Sequence, residues 1–290
     1  MNIRIIPRLD IKGPNLVKGI HFEGLRVLGK PESFARYYYE NGADELIYMD
    51  AVASLYGRNS LLDIVEKTAR EIFIPLTVGG GLRSVDDIRA VLRAGADKVS
   101  LNTAAIAHPE LIREASRAFG SSTIVVSIEA IRKADGTYES YVDYGRQSTG
   151  EDPVRWAVRA AELGAGELMV TSINNEGTGK GFDLELTRRI AEAVEIPVIA
   201  GGGAGQMKDV SEVITQGRAE AVCLASILHY NYIKHHRDSV EVYSEEGNIE
   251  FLHRGGGFSK IHDVMIPEIK EYLVKQGVDC RWQPHEPAYA

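Results

Sequence analysis

Two carboxyl groups, Asp10 and Glu129, stand at the ends of short apolar runs near the start and middle of the 290-residue chain. If those runs are the first and fifth strands of one closed sheet, the two acids face each other across its mouth. There they can divide general acid and general base work. A cap or a salt bridge is the plainer use of either acid alone. Asp50 takes the same place after the second run.

Two glycine triplets, Gly79-Gly80-Gly81 and Gly201-Gly202-Gly203, each follow an apolar run and precede an amphipathic stretch. Glycine lets backbone N–H groups approach an anion closely, and a helix N-terminus adds positive potential. Each triplet has a small polar segment after the next run, Asn102-Thr103 in one case and Ala225-Ser226 in the other. With Gly80, Gly81, Gly202 and Gly203 these form two candidate phosphate sites, which suit a long substrate phosphorylated at both ends. A tight turn without a ligand is the alternative for one triplet; two at one repeat position favour phosphate. Thr171, on a later strand, and Asn174 and Gly177, in the polar loop after it, are further candidates for touching substrate.

The elements that must carry these residues alternate regularly. Apolar runs at Ile3–Pro7, Glu45–Met49, Pro75–Val78, Lys98–Leu101, Thr123–Ile128, Glu167–Ser172, Pro197–Ala200 and Ala221–Leu224 read as strands. Helical patterns between them include Pro31–Asn41, Asn59–Glu71, Val85–Ala94, Pro109–Phe119, Pro153–Leu163 and Leu184–Val194. Eight such units predict a (βα)8 TIM barrel. A shift of 122 residues superposes Glu45 on Glu167, Ile74-Pro75 on Ile196-Pro197, the first triplet on the second, Asp87 on Asp209 and Gly95 on Gly217. The barrel is therefore expected to be two (βα)4 half-barrel repeats, one domain over residues 1–280, with a flexible tail at 281–290.

With 44% apolar residues the chain can fill such a core. Its net charge of −8 discourages nucleic acid or an anionic membrane as partners. Its two cysteines, Cys223 and Cys280, are in no metal or redox spacing. No signal peptide is read at the N-terminus, and a cytoplasmic protein without metal or cofactor is expected.

Leu9-Asp10-Ile11-Lys12, Leu16-Val17-Lys18-Gly19, Asp44-Glu45-Leu46, Thr77-Val78-Gly79-Gly80-Gly81, Ala96-Asp97-Lys98-Val99-Ser100, Asn102-Thr103-Ala104-Ala105 and Gly201-Gly202-Gly203-Ala204-Gly205 resemble the cyclase subunit of imidazole glycerol phosphate synthase, the HisF family. The resemblance covers about residues 3–229 and resumes near Ile266–Val278. It implies a glutaminase subunit (HisH-like) that docks under the barrel and releases ammonia. Ammonia then crosses the barrel and reacts at the top with a bisphosphorylated aminoimidazole ribonucleotide precursor. Imidazole glycerol phosphate and an aminoimidazole carboxamide ribotide result. The resemblance implies catalysis by Asp10 and by Glu129, which replaces the family's second aspartate. It puts Lys18 in a flexible first loop. Arg4, Glu45, Lys98 and Glu167 match the charged ring at the ammonia entrance, and Asp97 a residue of the glutaminase interface. Without a partner, such a ring would be a salt-bridge cluster plugging the barrel.

The departures are specific. Glu129 is longer than aspartate by one methylene, and a carboxyl misplaced by about 1 Å can cost ~100-fold in rate. Arg8 stands where the family has cysteine and should point near Asp10. The family's Asp-x-Asp-Gly is here Asn174-Asn175-Glu176-Gly177. The segment after the eighth strand, about 230–264, is longer than in the family; Val240–Tyr243 and Ile249–Leu252 read as two strands around a turn. Its His235, His236, His253 and His262 could bind a metal, but a solvated loop is the plainer reading. These departures leave three uses open: a histidine-pathway cyclase, a paralogue delivering ammonia to a separate sugar amidotransferase docked on the insertion (acetamidino-sugar synthesis), or a non-catalytic scaffold that activates the glutaminase. A sugar isomerase of the sister family (HisA) shares the fold, but the charged ring argues for ammonia.

Overall fold

The computed structural model describes residues 2–53, 61–236 and 260–282. The first half opens with β1 (Arg4–Lys12) and a hairpin of β2 (Asn15–Ile20) and β3 (Glu23–Gly29). It goes on through α1 (Pro31–Glu40), β4 (Leu46–Asp50), α2 (Leu62–Ala69), β5 (Leu76–Gly79), α3 (Val85–Arg93), β6 (Lys98–Leu101), α4 (Thr103–Ala107) and α5 (Glu110–Phe119). The second half opens with β7 (Ile124–Arg132) and its own antiparallel extension, β8 (Tyr138–Val142) and β9 (Gln147–Ser148). Then come α6 (Pro153–Leu163), β10 (Glu167–Ser172), α7 (Leu184–Ala193), β11 (Val198–Gly201), α8 (Met207–Thr215), β12 (Ala221–Leu224), α9 (Ser226–His235) and α10 (Ile266–Lys275).

Strands β1, β4, β5, β6, β7, β10, β11 and β12 pair in parallel in that order, and β12 pairs back to β1. The expected eight-stranded barrel is therefore closed. Side chains alternate along each strand, so the strands feed two separate cores. Outward residues such as Leu9, Tyr48, Val78, Val99, Val126 and Val170 pack under the helices. Inward residues Ile6, Ile47, Met49, Val125, Met169, Ile199, Ala221 and Cys223 form a second cluster inside the barrel.

The 122-residue offset holds in detail. β5 and β11 match end to end under it, as do α3 and α8. Each of these helices begins with an aspartate accepting from the N-cap backbone, Asp87 from Ser84 (3.0 Å) and Asp209 from Gln206 (3.1 Å). Beyond Gly217 the offset grows by one residue, so β6 matches β12 at 123. At that offset Asn102 and Ala225, which open α4 and α9, have nearly the same backbone angles, φ −134° and ψ −86° against φ −128° and ψ −86°.

Two expectations need correction. The first and fifth strands run well past Pro7 and Ile128, because each continues above the barrel rim into a hairpin. Asp10 and Glu129 thus lie inside strands rather than at their ends. The hairpins gave little signal because the turn residues His21 and Phe22 (φ 53° and 63°), and Asp143 and Tyr144 (53° and 59°), adopt the left-handed region without being glycine. The strands read at Val240–Tyr243 and Ile249–Leu252, His253 and the tail lie outside the described residues. α10 is locked to the barrel base by buried Lys270, whose ammonium donates to Asp44 (2.8 Å) and to the Gly42 carbonyl (2.7 Å). No helix among the described residues is long and apolar enough to cross a membrane.

Candidate active site and entrance ring

Arg4, Glu45, Lys98 and Glu167 meet at the N-terminal end of the barrel. Arg4 binds Glu45 and Glu167, each at 2.6 Å; Lys98 binds the same two acids at 3.1 and 2.8 Å. Each cation bridges both carboxylates, so the four form a closed square around the barrel axis. Arg4, Lys98 and Glu167 begin their strands and Glu45 immediately precedes β4, which is why residues so far apart in sequence converge. Burial pushes the Arg4 pKa down, but Glu167 and Glu45 outweigh it and leave a net rise. Asp97 is exposed at the same end, its carboxylate accepting from the Leu76 N–H at 2.9 Å.

Above this square lies the apolar layer of Ile6, Ile47, Val125, Met169, Ile199 and Ala221. Thr77 and Ser100 interrupt this layer, lying opposite Ile47 and Val125. Above it the lining turns polar, with Ser127, Thr171, Arg8, Asp10 and Glu129, all nearly or fully buried. The hydroxyls of Ser100, Ser127 and Thr171 have no partner among the described residues.

Asp10 and Glu129 hold equivalent positions in the two halves. Asp10 pairs opposite Met49 and Glu129 opposite Thr171, and these partners are themselves 122 residues apart. Their surroundings differ. Arg8 Nε donates to Asp10 Oδ1 at 2.9 Å, and Phe22 covers the guanidinium with its ring centroid 5.2 Å away. Arg8 is fully buried, and its pKa is raised despite that burial, chiefly by Asp10. Glu129 accepts from the Gly145 backbone, while its Oε2 has no partner. Burial raises the Glu129 pKa to about 7; Arg8 opposes the rise and Asp10 adds to it. A carboxyl half-protonated near neutrality, with one free oxygen, can both give and take a proton.

Glu129 opens on a cavity of about 390 Å³ lined also by Asp50, Gly80, Gly81, Asn102, Thr103 and Tyr144. The first glycine cradle and one carboxyl thus share a chamber. Gly80 must be glycine: its φ is 98°, and a Cβ there would meet the Asp50 carbonyl at 2.6 Å. The second cradle, with Gly202, Gly203, Ala225, Ser226 and Gly177, lines a separate cleft of about 20 Å³ that also receives Arg8 and Glu176. Asp10 lines neither space; it stands behind Arg8. Thr171 is fully buried beside Gly201. Lys18 is buried in an ion pair with Glu176 and donates to the Gly19 carbonyl at 3.0 Å. Asn174 faces outward and accepts from the Arg132 N–H at 2.7 Å, joining the ends of β7 and β10 rather than lining either space.

Glu176 and Tyr144 escaped the sequence reading as site residues. Glu176 stood out only as part of the departure from the family's acidic loop motif, not as a residue that meets Lys18 and the second cradle. Tyr144 had an available signal: it is 122 residues from Phe22, the tip of the other hairpin.

A family model described as histidine biosynthesis protein matches residues 4–234. An imidazole glycerol phosphate synthase subunit HisF from Legionella pneumophila is 58% identical over 208 residues, covering 72% of this chain and 98% of that protein. HisF subunits from Alkaliphilus metalliredigens and Trichormus variabilis are 49% and 50% identical, each over 79% of this chain and 91% of the relative. With the closed barrel, the halves related by 122 residues and the paired carboxyls of β1 and β7, these matches place the chain in the histidine biosynthesis protein family, among its HisF cyclase subunits.

Proposed function

We propose that this chain takes ammonia from a glutaminase subunit docked against Asp97 and the entrance square, and uses it at the barrel top on a substrate phosphorylated at both ends. The observation that carries this reading is the order of layers along one axis: a charged square, a largely apolar layer, then a polar level with Asp10 and Glu129, of which Glu129 opens on the chamber. Neutral ammonia crosses an apolar layer far more cheaply than a charged ion does. The glycine cradles would hold the substrate's phosphates, with Asn102 and Thr103 at one and Ala225 and Ser226 at the other. Glu129, with its pKa near 7, would move the protons that ammonia addition and ring closure require. Asp10 would orient the reacting part from the opposite strand.

A second reading is favoured by Arg8 and Glu129. Arg8 occupies one oxygen of Asp10, and Glu129 extends further into the chamber than an aspartate would. Both suit a paralogue whose ammonia goes to a separate sugar amidotransferase, with the 230–264 segment as its dock. The test is steady-state cyclisation of the imidazole precursor with saturating ammonium, on the parent chain, Asp10→Asn and Glu129→Asp, beside a binding assay with the cognate glutaminase. Brisk turnover by the parent supports the cyclase, and Asp10→Asn should then lose ~10²–10⁴-fold. Negligible turnover in parent and Glu129→Asp alike, with the glutaminase still bound, supports the paralogue. Neither turnover nor binding would sink both readings.

A further inference from the structure

Arg8 has a counterpart that lacks its charge. Arg8 lies opposite Ile47 and Ser127 opposite Met169, and those partners are 122 residues apart. The two therefore hold the same place in the two halves. Arg8 stands on β1 beside β12, next to the second cradle; Ser127 stands on β7 beside β6, next to the first. The cradles differ in the opposite sense as well, since Asn102 of the first is replaced by Ala225 in the second. The second cradle has lost an amide and gained a guanidinium.

That guanidinium is only partly used. Nε is committed to Asp10 and the face to Phe22, but Nη2 is buried with no partner in the wall of the second cleft. A guanidinium offers five N–H donors in a rigid fork, so it can serve Asp10 and a second anion together. The cleft already receives an anion from the chain itself. Glu176 Oε2 lies 3.3 Å from where a Cβ on Gly202 would stand, and its charge is balanced by Lys18. As it stands the cleft has room for about one water.

We infer that Arg8 is the anion ligand of the second cradle, where a substrate phosphate displaces the Glu176 carboxylate and bonds to Arg8 Nη2. The guanidinium then bridges the phosphate and Asp10, so that binding at one end of the substrate fixes the position of the carboxyl. Displacement of Glu176 also releases Lys18 to the incoming phosphate. The inference rests on the two-cradle reading above and makes the two cradles unequal: the second meets its anion with a buried guanidinium fixed by Asp10, whereas the cation lining the first, Arg83, is an exposed side chain bonded to the Ala53 carbonyl.

The experiment is a titration with inorganic phosphate, followed by 31P NMR and calorimetry, in the full chain with the first cradle closed by Thr103→Asp. Arg8→Lys keeps the charge beside Asp10 but loses the fork. Arg8→Gln/Asp10→Asn removes both charges together, so neither is left buried alone. Both should weaken phosphate at least tenfold at the second cradle, whereas in chains that keep Thr103 and an open first cradle both should leave the first cradle's affinity unchanged. Glu176→Gln should tighten phosphate at the second cradle, because its internal competitor is gone. Unaltered second-cradle affinity in both Arg8 variants overturns the role of Arg8 while leaving the cradles standing. Absence of phosphate binding in the parent at either cradle overturns the two-cradle reading and the inference with it.

Discussion

Phe22 and Tyr144, 122 residues apart, touch each other across the barrel mouth with ring centroids 4.4 Å apart. Each sits at the tip of its half's hairpin in the left-handed backbone region, φ 63° and 59°. The repeat thus meets itself there, and Val17, Val27, Ala51 and Ile173 complete an apolar cap around the pair. The two hairpins should steady one another. Tyr144→Ala is expected to speed amide exchange in Asn15–Gly29 as well as in its own hairpin, and Phe22→Ala the reverse. Hydrogen exchange with mass spectrometry checks this; acceleration confined to the mutated hairpin would show that the contact carries no coupling.

Glu129 makes stability depend on pH on the alkaline side. Its pKa of about 7 exceeds the ordinary carboxyl value, so the folded state holds a proton that the unfolded chain has released. Stability is then lost as pH rises from about 4.5 through 7, by at most about 3 kcal/mol. Glu129→Gln should flatten that slope in urea melts taken from pH 5 to 8. If the chain turns over precursor, the same variant should remove the limb near pH 7 from its rate profile.

His229 makes the opposite demand. It is fully buried on α9, where its Nδ1 shares a proton with the Tyr38 hydroxyl at 2.6 Å. Burial, with a smaller part from Lys18, drops its pKa to about 3. Stability is present above the ordinary histidine value and is lost as pH falls from 6.5 toward 3, at up to about 1.4 kcal/mol per unit. His229→Gln should show a shallower acid limb below pH 6.5, at the cost of a lower plateau. An unchanged acid limb would place the acid sensitivity elsewhere.

The entrance square should tolerate loss of charge poorly. Lys98→Met leaves Glu45 and Glu167 to share Arg4 alone in a largely buried setting, which should cost about 1–3 kcal/mol given the partial exposure of the ring. With the glutaminase present, turnover driven by glutamine should fall more than turnover driven by added ammonium. Equal falls in both would mean that the square is structural only.

Much of this was legible in the sequence because it rests on periodicity. The eight strands, the 122-residue repeat and the two glycine cradles follow from apolar spacing and from positions where a Cβ would clash, as at Gly80. The square was legible only through family resemblance, since Arg4, Glu45, Lys98 and Glu167 are each unremarkable charges at strand starts. What escaped depends on packing above the rim. Nothing in His21-Phe22 announces a tight turn, nothing in Glu176 shows that it bends back over Gly202, and the two carboxyls look alike until burial and Arg8 separate them.

The apolar layer between the square and the carboxyls is broken on one side. Ile6, Ile47, Val125, Met169, Ile199 and Ala221 offer no hydrogen-bonding side chain, but Thr77 and Ser100 enter the same level from neighbouring strands, opposite Ile47 and Val125. A small hydrogen-bonding molecule at that level therefore finds side-chain partners only along β5 and β6. The interior is lopsided: that wall leads to Ser100 in the lining of the chamber shared by Gly80, Gly81 and Glu129, whereas the wall beneath Arg8, with Ile6 and Ala221, offers no such foothold.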